Sequence, residues 1–498
     1  MKRWIAIFTA IAMGACTAAA QDAPENLRED GSRIYESEGQ ITANGQRVRY
    51  SVVASETFMA GDDGEPYASI FSTAYIRQGV ADQESRPVAF IFNGGPGSAS
   101  LWLHMGVFGP YRVDLPSDAL DDGAAPYSII ENEFSIIDQA DLVFVDPVGT
   151  GWSRPLGEED GDRFWGIRED ARVLGAFIRR WLTENRRWNS PKYLLGESYG
   201  TTRIAALLNE MQGGWTDVSF NGVGLISTVL DFRFDDTSDG NDVGFVGLMP
   251  GFAATAWYHE RVDQSAWNGD LETFLNDARD FAYDTYMPAL LRGARLSEDE
   301  QRAVAAELSS YIGLSEDYLM RANLRVTLGR FMRELLRDDG LSVGRLDSRF
   351  TGAEADAVSE GPEYDPSAYG IDGGYTAAML HYFTDTLGVD ITDEYSVIDG
   401  PTFSGWNRDH GQGNAYINVA PWVATAMRQN SDLEVLVAQG YYDLATPFFS
   451  AELMFNQPGF DQDRVTFGYY ESGHMMYIHH PSLEAFVEDV RELMERGG

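Results

Sequence analysis

One cysteine, Cys16, is present in the whole chain of 498 residues. No intramolecular disulfide can form, and zinc sites built on cysteine are excluded. Lysine is nearly as scarce, with only Lys2 and Lys192, which removes a lysine-based polybasic membrane patch. Positive charge is thin overall: Lys+Arg number 37 against 77 Asp+Glu, a net charge of −40. A field of that sign repels phosphate backbones, so no nucleic-acid partner is expected. The bland reading of the excess is a solvated acidic surface. The seven histidines show no HExxH or H-x3-H spacing, so no metal site is expected, and nothing implies a cofactor. No run of roughly 18 apolar residues exists, so no transmembrane helix is expected.

What is present is ample core material. A hydrophobic content of 44% with 12% aromatics excludes disorder over most of the chain. Length alone suggests roughly three units of about 150 residues, which large α/β enzymes often merge into one core plus an insertion. The N-terminus reads as an export signal: Lys2 and Arg3, a short apolar run from Trp4 to Met13, then small residues. Two processing routes compete. Ala18-Ala19-Ala20 offers an A-x-A site with cleavage before Gln21. Met13-Gly14-Ala15-Cys16 resembles a bacterial lipobox, in which Cys16 carries a lipid anchor. Either route takes the mature chain out of the cytoplasm, as a periplasmic or outer-membrane lipoprotein form.

Periodicity divides the rest. From about Gln40 to Asp146 the chain is strand-rich, with alternation over Arg47–Ala54 and Ala68–Arg77. Compact apolar runs at Val88–Phe92, Leu142–Val145, Tyr193–Leu195, Leu433–Val437 and Val465–Phe467 fit central strands covered on both faces. Arg168–Leu182, Thr201–Met211 and Ser482–Met494 read as helices. Asp235–Thr402 differs in texture and reads as a mostly helical insertion. A capping box opens at Ser297 and helical spacing runs over Leu319–Leu336, while Asp365–Thr376 is rich in Gly, Tyr and Pro and reads as exposed loop. The expected organisation is a signal peptide at 1–20, a core at 21–234, a helical cap at 235–402 and the rest of the core at 403–498. The fold class is α/β: a mostly parallel sheet flanked by helices, with a cap between Ser198 and Asp443.

Three separated stretches carry chemistry. Gly196-Glu197-Ser198-Tyr199-Gly200 lies between a strand and a helix, the setting a nucleophile elbow requires. Asn93-Gly94-Gly95-Pro96-Gly97 directly follows a strand, where a backbone N–H can point at a carbonyl oxygen that becomes charged. Asp443 and His474 each follow a later strand. Serine is a weak nucleophile and needs a base near the operating pH, and a carboxylate fixes the imidazole tautomer. The order Ser198, Asp443, His474 is that of α/β-hydrolases.

With Asn93–Ser98, Asp146-Pro147-Val148-Gly149-Thr150-Gly151-Trp152-Ser153, Gly196–Gly200 and Ser472-Gly473-His474-Met475 in this order, the chain resembles the serine carboxypeptidases from about Arg47 to its C-terminus. A Glu before the nucleophile and a Tyr after it make the resemblance more specific than G-x-S-x-G alone. It implies release of C-terminal amino acids from peptide substrates through an acyl-enzyme. By that resemblance the oxyanion donors are the amides of Gly95 and Tyr199. Asn93, Gly94 and Glu197 would hold the substrate's terminal carboxylate.

The chain also departs from the family pattern. The family's usual disulfides are absent, Ile91 replaces a usual Trp, and Leu444-Ala445-Thr446-Pro447 lacks the usual Asn. Val107 falls where a second Glu usually stands, which leaves Glu197 alone to take up a proton. An esterase or acyltransferase would use the same triad. A non-catalytic binding module would require loss of a triad residue, and all three are present. Nothing in the sequence selects an oligomeric state.

Overall fold

The computed structural model describes residues 26–411, 413 and 416–498. Cys16 and both processing sites lie outside them. Nine strands build the central sheet: β1 (Ile34–Ala43), β2 (Gln46–Ala60), β3 (Pro66–Arg77), β4 (Val88–Phe92), β5 (Asp141–Val145), β6 (Lys192–Glu197), β7 (Gly222–Ile226), β8 (Glu434–Gly440) and β9 (Val465–Tyr470). Their order is β1-β2-β3-β5-β4-β6-β7-β8-β9, and a tenth, two-residue strand at Arg154–Pro155 pairs with β3. The first three strands are antiparallel, and the six from β5 to β9 run parallel. The fold is an α/β-hydrolase fold, a mixed, mostly parallel sheet flanked by helices.

Sequence alternation assigns the two faces. Ala89, Ile91, Leu142, Phe144, Leu195 and Leu436 point into one apolar core, which the C-terminal helix covers with Leu483, Phe486 and Val490. Val88, Phe90, Val143, Leu194, Val223 and Val435 point into the other, under helices α1 (Ile167–Glu184) and α2 (Tyr199–Met211). Parallel strands buried on both sides have no polar face to display, which is why they read as continuous apolar runs. Strand β1 starts six residues before the expected Gln40, because pairing with β2 over all ten of its residues carries Glu36–Gln40 through a stretch lacking apolar alternation.

Between β7 and β8 the chain runs through α3 (Asp242–Tyr258), α4 (Leu271–Phe281), α5 (Glu298–Ile312), α6 (Glu316–Arg321), α7 (Leu328–Glu334), α8 (Pro366–Tyr369), α9 (Asp372–His381) and α10 (Ala420–Gln429), along with further short helices, turns and a small hairpin of Leu341–Val343 and Thr351–Ala353. Helices α3 to α7 share a core of their own, in which Phe252 stacks on Phe331 at 3.9 Å between ring centres. Ser297 and Glu300 form the expected capping box, with Ser297 N donating to Glu300 Oε2 at 2.8 Å. No described helix is long and apolar enough to cross a membrane.

Two expectations fail here. Leu319–Leu336 is not one helix: Asn323 and Leu324 take φ of 52° and 65° and break it. Leu319, Leu324 and Val326 still reach one core, so a turn satisfies the apolar spacing as well as a helix does. Asp365–Thr376 is not exposed loop but α8 and the start of α9. Asp365 caps α8 by accepting from Ser367 N at 3.1 Å, and Pro366 occupies its first turn. Gly374 lies so close to its neighbours that a Cβ there would stand 2.4 Å from Asp122 Oδ2, and Tyr375 is buried. Composition suggested a loop; tight packing uses the same residues as a wall.

Candidate active site

The turn from β6 into α2 places Ser198. Its backbone sits at φ 60°, ψ −128°, a strained setting for a residue with a side chain. The strain is held from both sides: Ser198 N donates to Ile226 O at 2.9 Å, and Thr201 N donates to Ser198 O at 2.9 Å. The flanking glycines have no alternative. A Cβ on Gly196 would meet Gly200 O at 2.6 Å, and one on Gly200 would meet Phe92 O at 2.9 Å. This arrangement presses the elbow against the end of β4 and lifts the Ser198 hydroxyl into a cavity.

The loop after β4 lies directly on the elbow. A Cβ on Gly94 would stand 2.6 Å from Tyr199 N and 2.8 Å from Ser198 Cβ. Among the described residues, neither the Gly95 nor the Tyr199 amide donates to a protein acceptor, and both residues line the cavity at Ser198. Two unused N–H donors beside a hydroxyl can receive a developing oxyanion. Arg203 anchors the loop from beneath. Fully buried, it donates to Asn93 O at 2.5 Å and to Asp170 Oδ2 at 2.6 Å. Asp146, from the Asp146–Ser153 motif, accepts from Ser100 N at 2.9 Å and from the Tyr395 hydroxyl at 3.0 Å. That motif supports the loop and does not line the cavity.

Asp443 and His474 come from the ends of β8 and β9. His474 Nδ1 is 2.8 Å from Asp443 Oδ2. Asp443 Oδ1 accepts from the amides of Ala445 and Thr446 at 2.8 and 3.0 Å, and the Thr446 hydroxyl donates to Oδ2 at 2.7 Å. Thr446 thus bonds the carboxylate from a loop that lacks the family's usual Asn. Burial works against a charged imidazole, but the Asp443 carboxylate, its hydrogen bond and Glu197 beyond hold His474 above its ordinary value. The chain between β7 and β8 braces this histidine. His474 N donates to Leu346 O at 2.6 Å, and Gly473 N to Asp347 Oδ2 at 3.2 Å. Arg349 pairs with Asp347 and donates to Ser472 Oγ at 3.0 Å.

Ser198 and His474 line two adjoining cavities. The first, about 360 Å³, has Asn93, Gly94 and Glu197 on its wall together with Arg345, Asp365 and Asp372. The second, about 270 Å³, has Gly95 and Tyr199. Glu197 is buried, yet both its oxygens are bonded: Asn93 Nδ2 donates to Oε1 at 2.9 Å, and the Tyr477 hydroxyl donates to Oε2 at 2.7 Å. Burial raises its carboxyl to about 7, opposed by His474 and the Tyr477 bond. Val107, at the expected place of a second carboxyl, is buried and absent from the lining of either cavity. A tyrosine has the contact with Glu197 instead.

All eight candidate residues after Cys16 therefore meet at one place. Sequence reasoning missed Tyr477, Thr446 and the Arg345–Arg349 brace. Tyr477 left one trace, a hydroxyl in the otherwise apolar run Met475–Ile478 that follows the histidine. The brace left none, because its contacts join residues about a hundred positions apart or more.

Residues 72–308 match the family model for serine carboxypeptidases. "Serine carboxypeptidase-like 8" of Arabidopsis thaliana is 31% identical over 142 residues, which are 28% of this chain and 31% of that protein. "Pheromone-processing carboxypeptidase KEX1" of Arthroderma otae is 33% identical over 139 residues, 28% of this chain and 20% of that one. The chain thus spans a third or less of the length of these curated relatives. Among solved structures, a prohormone-processing carboxypeptidase of Saccharomyces cerevisiae aligns over 92% of this chain and 91% of its own. The two are 15% identical, with a TM-score of 0.48. Asn93–Ser98, Asp146–Ser153 and Gly196–Gly200 all lie inside the matched span, so over just under half of its length this chain is similar to the serine carboxypeptidases.

Proposed function

We propose that the chain is an exported serine carboxypeptidase that releases C-terminal amino acids from peptides. The observation that carries this reading is the bonded pair Glu197–Asn93, buried in the cavity wall immediately before the nucleophile. A hydrolase that needs only a triad has no use for a buried acid there. A carboxyl raised to about 7 is half protonated near neutrality and can donate a hydrogen bond to a substrate carboxylate.

Ser198 Oγ attacks the last peptide carbonyl while His474 Nε2 takes its proton. The carbonyl oxygen, now negative, is held by the amides of Gly95 and Tyr199. The C–N bond breaks as His474 returns the proton to the leaving amine, and the terminal residue departs from the Glu197 side. Water, deprotonated by His474, then attacks the acyl-enzyme and frees Ser198. Asp443 keeps the imidazole in the tautomer that accepts at Nε2.

The test compares an N-blocked dipeptide with its C-terminal amide and with a simple ester. The free-acid dipeptide is expected to be cleaved about 100-fold faster than the amide, the worth of one or two charge-assisted hydrogen bonds. Equal cleavage of acid and amide would remove the exopeptidase reading. Ester turnover without dipeptide turnover would make the protein an esterase or acyltransferase on the same triad.

The charged, apolar and small-residue pattern at the N-terminus supports export from a bacterial cell, to a periplasmic or lipoprotein form. The intact mass of the mature chain separates the two routes. Acyl chains on an N-terminal Cys16 identify the anchored form, and an unmodified start at Gln21 identifies the soluble one.

A further inference from the structure

The loop that holds Gly95 is tied down by a segment from far along the chain. Residues Tyr395–Asp399, between α9 and α10, cross it as a short extended strap. Ala99 N donates to Val397 O at 3.0 Å, and Asp399 N donates to Gly97 O at 2.8 Å. The loop's own closure is longer, with Ser98 N reaching Gly94 O at 3.3 Å. A Cβ on Gly97 would stand 3.1 Å from Asp399 O, so the approach is close. The same strap exchanges two bonds with the Asp146–Ser153 motif. Gly151 N donates to Ser396 O at 2.8 Å, and Ser396 N donates to Gly151 O at 3.0 Å.

One side chain latches the strap. Tyr395 is buried, and its hydroxyl donates to Asp146 Oδ2 at 3.0 Å, while Asp146 Oδ1 accepts from Ser100 N at 2.9 Å. Asp146 therefore bridges the strap to the residue that ends the loop. Only glycine leaves room for this at position 151, since a Cβ there would overlap Asp146 Oδ2. The Tyr395 ring stands edge-on to Trp152, 4.8 Å between ring centres, and Trp152 Nε1 donates to Asp393 O at 3.0 Å. Burial pushes Asp146 up to about 6 and holds Tyr395 well above its ordinary value. Near neutrality the carboxylate accepts and the phenol donates.

An oxyanion hole works only if its donors stand where the negative oxygen will be. Gly95 and Gly97 take φ of 101° and 93° and have no side chains to pack, so the loop needs holding from outside. We propose that Tyr395 is a positioning residue that, through Asp146 and the strap Tyr395–Asp399, fixes the Gly95 amide in the oxyanion hole. This rests on the acyl-transfer chemistry of the carboxypeptidase reading above. Tyr395 and Asp146 line neither cavity at Ser198, so they act through the loop and not on the substrate.

The test compares wild type, Tyr395→Phe, Asp146→Asn and the double variant on an N-blocked dipeptide, a simple ester and the matching thionoester. In the thionoester sulfur replaces the carbonyl oxygen. Sulfur is a weak acceptor, so this substrate draws little from the oxyanion amides, and the ester-to-thionoester ratio of kcat reports their placement. Tyr395→Phe removes one oxygen. It is expected to lower kcat on dipeptide and ester about tenfold with KM within about twofold, less than the roughly 100-fold loss of a whole donor. The ester-to-thionoester ratio should fall by nearly the same factor. Asp146→Asn should lower the ratio as well, and the double variant no further than the lower single one, since both act through one contact. A ratio unchanged in Tyr395→Phe, or in Asp146→Asn should the first variant not fold, overturns the proposal and leaves the carboxypeptidase reading standing. Effects that multiply in the double variant overturn the route through Asp146. Ester turnover without dipeptide turnover sinks the carboxypeptidase reading, while the ratio still tests Tyr395. A wild type that turns over neither overturns both.

Discussion

Ser198→Ala is expected to lower kcat for peptide and ester alike by roughly 10⁴- to 10⁶-fold, leaving what the oxyanion amides and binding contribute. The fold should not respond. The substitution removes one oxygen from a turn whose backbone is held by Ile226 and Thr201, and alanine meets the same φ of 60° that serine does. Thermal midpoints of the two proteins are therefore expected to agree within about 2 °C. A serine-directed phosphonate should label wild type and leave the variant untouched. Labelling of Ser198→Ala at the wild-type rate would mean that another residue is the nucleophile.

The second large effect is on pH dependence, and its sign follows from two groups that act in opposite protonation states. Holding a substrate carboxylate requires Glu197 to carry a proton, so KM for a peptide is flat below about 7 and rises above it, roughly tenfold per pH unit. Accepting the serine proton requires neutral His474, so kcat falls as pH drops through the raised value of that imidazole. Each group lies in the field of the other, and the productive pair competes with a second form carrying the same number of protons, Glu197 ionised and His474 charged. Peptide kcat/KM is accordingly expected to be a narrow bell around neutrality, while a neutral ester shows only the acid limb. Glu197→Gln should abolish the alkaline limb for peptides, because an amide donates a hydrogen bond at every pH. It should also move the acid limb down, because the charge that favours the imidazolium is gone. Tyr477→Phe should shift the alkaline limb upward, since the hydroxyl it removes stabilises ionised Glu197. An alkaline limb identical in wild type and Glu197→Gln would show that Glu197 does not meet the substrate carboxylate.

In the proposed recognition, Glu197 has no second carboxyl at the place where the resembling family carries one. Where the family pattern has a second carboxyl, Val107 is buried and hydrophobic, and Glu197 is bonded instead by one amide and one phenol. Neither donor ionises near neutrality, and Tyr477 is held well above its ordinary value by burial and by Glu197 itself. Proton uptake on peptide binding is therefore expected at Glu197 and not at position 107.

The sequence by itself determined everything that depends on local order. The runs Val88–Phe92 and Tyr193–Leu195 had to be central strands, since continuous β-rich apolar residues need cover on both faces. Gly196–Gly200 between a strand and a helix had to be a tight turn, because only glycine tolerates backbone oxygens at 2.6–2.9 Å from where its Cβ would be. The order of Ser198, Asp443 and His474 fixed the candidate triad. The tertiary structure alone decided which distant side chains complete the site. It set Tyr477 on Glu197, Thr446 on Asp443, and the Arg345–Arg349 segment against the histidine loop. It also turned Asp365–Thr376 from an expected loop into helices beside the first cavity. The physical reason is the same throughout. A strand or a tight turn is selected by the sterics and burial of neighbouring residues, which the sequence shows directly. A hydrogen bond across hundreds of positions, or the lack of one, exists only once packing has fixed where each polar atom lies.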